Sequence, residues 1–577
     1  MGGGGNTGDE RSQLKYIIEM NDVTSTSLDD PLYYLRNALQ IVHLCLNNYS
    51  DLLLQDEVDT LQQLLLLDTS AQALLIRMVM RKGLLFRTDK LHYNEVSNLD
   101  EAIHNLTKTG YVNHQPDISI SCLCEVSRRE ECLEIAQRIA PELAFSGSTR
   151  KTDIVTALVS TFQNDHPKPL KEWWPDSPFN IIELRCNDLF DRLRLMFFGN
   201  LYQSWSEFVI TELGLQRFEK VSLTSESRPF QSRSEVDLYL NLYQLQQRAT
   251  EGERLDSLAK LIPSSIDCSW IDYRRSKVIY LLGREAERQK NTDLALSLYQ
   301  QSQHHEAQLR ALRFLEKSSP AEQVFVLAKE SHFNITKPEV RIGIERILKR
   351  SARKLGIEFN TSKTIEIPIE TIELKKPDQG RVERTVIAYL SNTDTQLFHV
   401  ENKLFTGLFA LLFWPALFAP IRGAFFNPFQ SGPADLYRPT FSEERTELLS
   451  QSFDQLQSGG HVRAILDRLE QKQGISCSLI HWPSLDRTLV EETLDVIPAK
   501  HLEAVFRHLL LDLRNHRKGM PDLIELNKAT RQYRLIEVKG PGDRLQDHQK
   551  LWLEVMLENE IPASVLNVNW RESDICR

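Results

Sequence analysis

From Pro31 to about Tyr93 the apolar positions recur three and four residues apart: Leu35, Leu39, Val42 and Leu46, then Leu61 and Leu65, then Ala73, Leu74 and Met78. Such spacing lines one side of a 3.6-residue helix, so the segment predicts a helical bundle. A strand-like piece follows Gly83, and another helix is expected over Leu99 to Thr109. Farther on, a glycine-containing turn precedes Arg150, Lys151 and an amphipathic helix with Ile154, Ala157 and Leu158 facing inward. Pro167, Pro169 and Pro175, around Trp173 and Trp174, mark a boundary because proline stops helices. Asn187 to Leu213 is again helical in pattern, with Phe197, Phe198, Leu201, Trp205 and Phe208 as an aromatic stripe suited to core packing. Gly283, Ala295 and Tyr299 stand at the offsets of a tetratricopeptide-like pair, where small residues let antiparallel helices approach closely.

Two later stretches break this rhythm. Leu404 to Ile421 is almost wholly apolar and nominally long enough to span a bilayer. Thr406, Gly407, Pro415 and Pro420 interrupt it, and a buried helix lying over a sheet is the expectation. Asp522 to Leu526 reads as a buried strand, Asn527 to Gln532 as a turn and Arg534 to Lys539 as a returning strand, which together make a hairpin. On the second strand Leu535, Glu537 and Lys539 share one face, and Ile536 and Val538 the other. Gln549, Trp552, Leu553 and Met556 then recur at helical spacings.

A chain of 577 residues with 41% hydrophobic composition predicts several packed domains. The formal net charge of −10 excludes a uniformly cationic surface, so any polyanion must be met by local basic clusters. Arg346, Lys349, Arg350 and Arg353, with Arg341 and Lys354 nearby, form the densest of these on one helical face. Arg77, Arg81, Lys82 and Arg87 are a second group that suits either phosphate contact or a solvated face. Eight cysteines scatter without paired spacing, and Cys122, Cys124 and Cys132 lack a companion set of His or Cys. Reduced structural thiols in a cytoplasmic-type compartment are expected. Gly2 to Arg11 is glycine-rich and polar rather than basic then apolar, so no signal peptide and a disordered start are expected.

The hairpin carries the chemistry. Asp522, Glu537 and Lys539 can place two carboxylates and an amine at one point, with the Val538 carbonyl as a further oxygen ligand. Phosphodiester hydrolysis needs charge stabilisation on the attacking and leaving oxygens, which carboxylate-held divalent cations supply, sometimes as a pair about 3.5–4 Å apart. Lys539 could then orient the water and favour the phosphate. A bare Glu-x-Lys also occurs by chance in charged proteins, and a surface ion pair is the competing reading.

Context sharpens the choice. "PDLIEL" and "LIEVKGPGDRLQDHQKLWLEVM" resemble the VRR-NUC branch of the PD-(D/E)xK nucleases. Upstream, "ENKLFTGLFALLFWPALF" is similar to the segment with the first catalytic Glu in the Fanconi-associated nucleases. The resemblance implies a multidomain, mostly α-helical chain: a helical N-terminal region over 1–60, a winged-helix and SAP-like DNA-binding region over 61–165, a TPR-like scaffold over 166–355, and a C-terminal α/β nuclease domain with a helical insertion over 356–577. It implies Glu401, Asp522, Glu537 and Lys539 as catalytic residues. Glu401, Asp522, Glu537 and Val538 would be ligands of Mg²⁺ or Mn²⁺, two ions per active site. Arg514 and His548 fall where the family places residues near the DNA phosphate, although His548 stands where a more basic residue is the family's pattern; Arg150 and Lys151 at their SAP-like helix start, the basic face of Arg346, Lys349, Arg350 and Arg353, and Arg544 are the other expected DNA contacts.

The implied activity is structure-specific cleavage of branched or 5′-flap DNA, as 5′-flap endonuclease and 5′-to-3′ exonuclease, in interstrand crosslink repair. Two alternatives are a non-catalytic DNA-binding repair scaffold and a restriction-like, sequence-reading endonuclease. Eukaryotic members carry an N-terminal ubiquitin-binding zinc finger, for which this chain has no Cys/His cluster. A bacterial, cytoplasmic and nucleoid-associated protein is therefore expected, nuclear if the source is eukaryotic, with no membrane association and no ubiquitin-dependent recruitment.

Overall fold

The computed structural model describes residues 31–162, 166–203, 205, 216–334, 337–358, 365–377 and 380–571. The chain forms two compact units, one of residues up to 215 with 231–236, the other of 216–230 and 237 onward. Gly2 to Arg11 and Phe208 lie outside the described residues.

The first unit is helical with small sheets. Helices α1 (Tyr33–Tyr49), α2 (Gln55–Leu66) and α3 (Thr69–Val79) precede β1 (Leu85–Arg87), α4 (Leu99–Lys108) and β2 (Val112–Asn113). Two of these helices start on side-chain caps: Asp68 accepts the Ala71 amide and Asn98 the Glu101 amide. On α1 the buried stripe is Leu35, Ala38, Ile41, Val42 and Cys45. The expected Leu39 and Leu46 flank it, half-buried, because the smaller Ala38 and Cys45 take the centre of the seam. Strands β3 (Asp117–Ile118) and β4 (Lys168–Pro169) pair with each other, while β5 (Ile181–Leu184) lies between β1 and β2.

Helices α5 (Ile120–Val126), α6 (Arg129–Ile139) and α7 (Lys151–Thr161) pack a second core from Leu123, Ile135, Ile154, Leu158, Trp173 and Trp174. Ala157 stays half-buried. Helix α8 (Asn187–Phe198) stops well short of the expected Leu213, because Gly199 adopts φ 69° and turns the chain into a left-handed cap. Leu201 and Trp205 therefore reach the core from beyond the helix.

The second unit begins its repeat-like part with α9 (Ser269–Arg288) and α10 (Thr292–Gln301). Gly283 meets the Tyr299 ring so closely that an added Cβ would lie 2.9 Å from Cε1, the close approach expected from the sequence. Helices α11 (His305–Ser318), α12 (Ala321–Asn334) and α13 (Pro338–Leu355) continue the stack around Leu312, Val324, Ala328, Ile344 and Leu348.

A five-stranded sheet follows: β6 (Ile369–Lys375), β7 (Thr395–His399), β8 (Leu523–Asn527), β9 (Gln532–Lys539) and β10 (Ala563–Arg571), in the order β6-β10-β9-β8-β7. The β7, β8 and β9 pairings are antiparallel, while β10 runs parallel to β9 and β6. The predicted hairpin is β8–β9, with Asn527 opposite Gln532. Both faces of the sheet are covered. On one side α14 (Val382–Leu390) packs Val386 against Leu397, Leu523, Ile536 and Val538. On the other, Ile524, Leu526 and Leu535 join a larger core with α15 (Lys403–Leu412), α16 (Trp414–Leu417) and α17 (Asp547–Glu558).

The apolar run from Leu404 is thus a buried helix broken by a second short one, as its Pro and Gly residues predict. Among the described residues no helix is long and apolar enough to cross a membrane. The helical insertion is pinned by Arg445, fully buried, which pairs with Asp435 at 2.6 Å and donates to the Ala416 carbonyl. Among the described residues seven cysteines are free, and all but the half-buried Cys122 are buried.

Candidate active site

Three strand ends and one turn converge at the open edge of the sheet. Asp522, just before β8, receives the Val538 amide on Oδ2 at 2.9 Å. Its own carbonyl accepts the amides of Val400 and Glu401, which ties the end of β7 to the start of β8. Glu537 is 1% exposed, and its Oε1 accepts from Lys539 Nζ at 2.9 Å and from Gln549 Nε2 at 2.5 Å. Glu537 Oε2 is buried with no hydrogen-bond partner among the described residues. An unpartnered buried carboxylate oxygen carries a full desolvation cost, so it marks a place for a cation.

Electrostatics agrees with the geometry. Burial, and then the negative charge of Asp522, push Glu537 up to about 7 against the pull of Lys539. Burial also raises Asp522, opposed by the Val538 amide and aided by the carboxylates of Glu383 and Glu401. One ammonium group thus faces several carboxylates, an imbalance that divalent cations would relieve.

Glu401 lies in the turn before α15, within electrostatic range of both Asp522 and Glu537. Its φ of 39° is left-handed, a conformation that costs a non-glycine residue about 1–2 kcal/mol and clusters at functional sites. The structure thus brings Glu401, Asp522, Glu537 and Lys539 together. Val538 contributes its amide to Asp522.

Three neighbours escaped sequence reasoning. Gln549 clamps the Glu537–Lys539 pair, donating to the carboxylate and accepting the ammonium at 2.9 Å. Its signal was its place on the first turn of the helix after the hairpin. Glu383, in the first turn of α14, and His399, the last residue of β7, each bring a ligand atom within 4.8 Å of Asp522's and of one another's. Neither sits in a recognisable motif.

Comparison with known proteins identifies the family. A VRR-NUC domain model matches residues 457–570, and a model described as FAN1, HTH domain, matches residues 32–113. A Fanconi-associated nuclease 1 homolog of Pseudomonas aeruginosa is 38% identical over 555 residues, covering 96% of this chain and 98% of the relative. The chain belongs to the Fanconi-associated nuclease family. A homolog from Oryza sativa is 23% identical, and the chain spans 62% of its length. The crystal structure of paFAN1 bound to 2-nt 5′-flap DNA with a gap is 38% identical and superposes with a TM-score of 0.78, over 95% of this chain and all of that one.

The basic residues of this Fanconi-associated nuclease divide into free and committed ones. Arg150 is exposed at the start of α7, but Lys151 Nζ is held by the Ser127 carbonyl at 2.7 Å. Arg346, Lys349 and Arg353 lie on the exposed face of α13, while Arg350 is paired bidentately with Glu316. Arg87 is no phosphate contact: it is 5% exposed, gripped by Asp89 and Glu131 and set over the Phe179 ring. Arg77 is likewise tied to Glu95 over Tyr34. Arg544 and His548 are exposed. The chain at Gly519, with φ +88°, passes so close to His548 that no side chain would fit there.

Arg514 belongs to a cationic cluster that the sequence did not announce. Burial and the charges of Arg274, Arg514 and Arg438 push Lys277 down. Burial, with Lys277, Lys337 and Arg514 nearby, lowers His304 to about 4. Beside it a cleft of about 730 Å³ is lined by Lys337, Arg438, Phe453, Arg507 and Asp512 among others.

Proposed function

We propose that this Fanconi-associated nuclease hydrolyses DNA phosphodiester bonds with Mg²⁺ or Mn²⁺, two ions per site, cutting 5′ flaps and degrading from 5′ ends in interstrand crosslink repair. The observation that carries this reading is the buried pair Glu537–Lys539 beside Asp522, with Glu537 Oε2 left without a partner among the described residues. Likeness to a relative crystallised on 5′-flap DNA supports the substrate class.

Asp522, Glu537 and Glu401, with the Val538 carbonyl, are the hard oxygen donors that would hold the cations. When bound, the cations supply charge stabilisation to the attacking and leaving oxygens. Lys539 holds Glu537 through Oε1, which leaves Oε2 free for a cation, and its ammonium favours a phosphate and orients the attacking water. Gln549 fixes both groups at once, so neither loses time to other rotamers. Arg150, Arg346, Lys349, Arg353, Arg544 and the cluster of Lys277, Arg438 and Arg514 would meet backbone phosphates, which position a duplex without reading its sequence. Lys151, Arg350 and His548 belong to the same DNA-binding proposal, with Lys151 and Arg350 also serving the fold. The helical repeat is read as a scaffold.

Purified Asp522→Ala, Glu537→Ala and Lys539→Ala should lose cleavage of end-labelled 5′-flap DNA by at least about 100-fold, the scale of losing one preorganised charge-stabilising group. Gel-shift affinity in Ca²⁺ or EDTA should stay within about threefold, since phosphate contacts carry binding. Near-normal turnover in any two of these variants would remove the catalytic assignment.

A further inference from the structure

The ring nitrogen of His399 lies among carboxylate oxygens of Glu383 and Asp522. His399 closes β7 opposite Leu523, one residue from Asp522. Glu383 arrives from the first turn of α14, which packs on the same face of the sheet. One ligand atom from each of Glu383, His399 and Asp522 falls within 4.8 Å of the other two. Ligands about 2.0–2.6 Å from one divalent cation span such distances with little movement.

A structural role does not account for this arrangement. A carboxylate in the first turn of a helix is stabilised by the helix dipole while remaining in water. Glu383 Oε2 is instead buried and has no hydrogen-bond partner among the described residues. No hydrogen bond or ion pair to the His399 ring is found among the described residues, and the ring is exposed at an edge strand. A second signal comes from Glu537, 1% exposed, whose Oε2 is also unpartnered and whose nearest charged influences include Asp522. Asp522 thus stands between two groups of unsatisfied donors, Glu537 on one face of the sheet and Glu383 with His399 on the other. Two carboxylates and a neutral imidazole around a divalent ion sum to zero charge, which suits a half-buried site.

We propose that Glu383, His399 and Asp522 form a cation position with one nitrogen ligand, and that His399 biases this position toward Mn²⁺ over Mg²⁺. Imidazole is a poor ligand for Mg²⁺, which demands near-ideal octahedral geometry and gives up its waters reluctantly, whereas Mn²⁺, though the weakest binder of the first-row transition series, tolerates a nitrogen within a set of oxygen ligands. The inference rests on the proposed metal-dependent nuclease site and adds to it a source of metal preference.

The test is binding of Mn²⁺ to the full chain without DNA, read by electron paramagnetic resonance, with Mg²⁺ as competitor. In the wild type, electron spin echo modulation should show a ¹⁴N coupling from a directly bound imidazole. His399→Asn should abolish that coupling, weaken one Mn²⁺ position by at least about 10-fold, the lower range for disturbing a metal's surroundings, and leave Mg²⁺ affinity within about threefold. Glu383→Gln should weaken the same position, and His548→Asn should leave the coupling intact. A ¹⁴N coupling absent from the wild type, or unchanged in His399→Asn, overturns the proposal. The nuclease reading fails separately, if Glu537→Ala binds Mn²⁺ at every position as the wild type does while His399→Asn still loses its coupling.

Discussion

Burial holds Glu537 close to the point where its proton is lost at neutral pH, and this has a sign that can be checked. In the unfolded chain the group titrates near 4.5, but in the folded, metal-free protein near 7. The folded state therefore binds the extra proton between those values. Its stabilising contribution is complete below about pH 4.5 and is lost as pH rises through 7. With metal chelated, denaturant melts should show wild-type stability falling by about 1–3 kcal/mol relative to Glu537→Gln between pH 5 and 8. Parallel pH profiles for the two proteins would mean that Glu537 is not strained in the apo site.

At this scale the sequence disclosed those residues that share a local motif. Asp522, Glu537 and Lys539 fall within one hairpin, so strand alternation alone makes them neighbours. Glu401, Glu383 and His399 approach them only because β7 pairs with β8 across the whole helical insertion. That pairing has no short-range signature. Arg87 shows the opposite error, since an arginine in a basic run reads as surface until its two carboxylate partners are seen.

Helix α17 is where an element, rather than a residue, does the positioning. Its first turn delivers Gln549 to Glu537 and Lys539, and Trp552 below it holds the carbonyls of His516 and Lys518. Gln549→Leu preserves the bulk and removes both hydrogen bonds. It should lower kcat by about 10–100-fold with DNA affinity nearly unchanged, the usual scale for groups that orient ligands. Equal losses in kcat and in DNA binding would point to a collapsed helix instead.

In the repeat-like pair, Gly283→Val forces a branched side chain against the Tyr299 ring. Overpacking of that kind should cost about 1–3 kcal/mol in chemical denaturation, and an unchanged midpoint would show that α9 and α10 can separate freely. Elements with strong periodicity were legible: the hairpin, α17, α4 and the broken apolar helix. The end of α8 was not, because the aromatic stripe continues past the glycine that stops the helix. Apolar spacing reports which residues are buried, and a loop can bury them as well as a helix can.

Over the whole molecule 79 acidic side chains outnumber 69 Lys and Arg, so duplex binding must come from local concentrations of charge. Arg346 and Arg353 are exposed on α13 and, among the described residues, lack an acidic partner such as Arg350 has in Glu316. Reversing both to Glu should weaken flap, nicked and linear DNA alike and lower the slope of log affinity against log salt, because backbone contacts release counterions and carry no base information. Loss confined to one substrate would place this face at a branch rather than along a duplex.

Cleavage of end-labelled 5′-flap, 3′-flap, nicked, linear duplex and single-stranded DNA, each in unrelated sequences with Mg²⁺, Mn²⁺ or EDTA, tests the central claim most directly. The account predicts metal-dependent cutting of 5′-flap substrates at a constant offset from the junction, whatever the sequence, and none in EDTA. Binding without cleavage under every metal would leave a repair scaffold. Cuts that follow a short base motif along linear duplexes would contradict structure-specific recognition and favour a sequence-reading endonuclease.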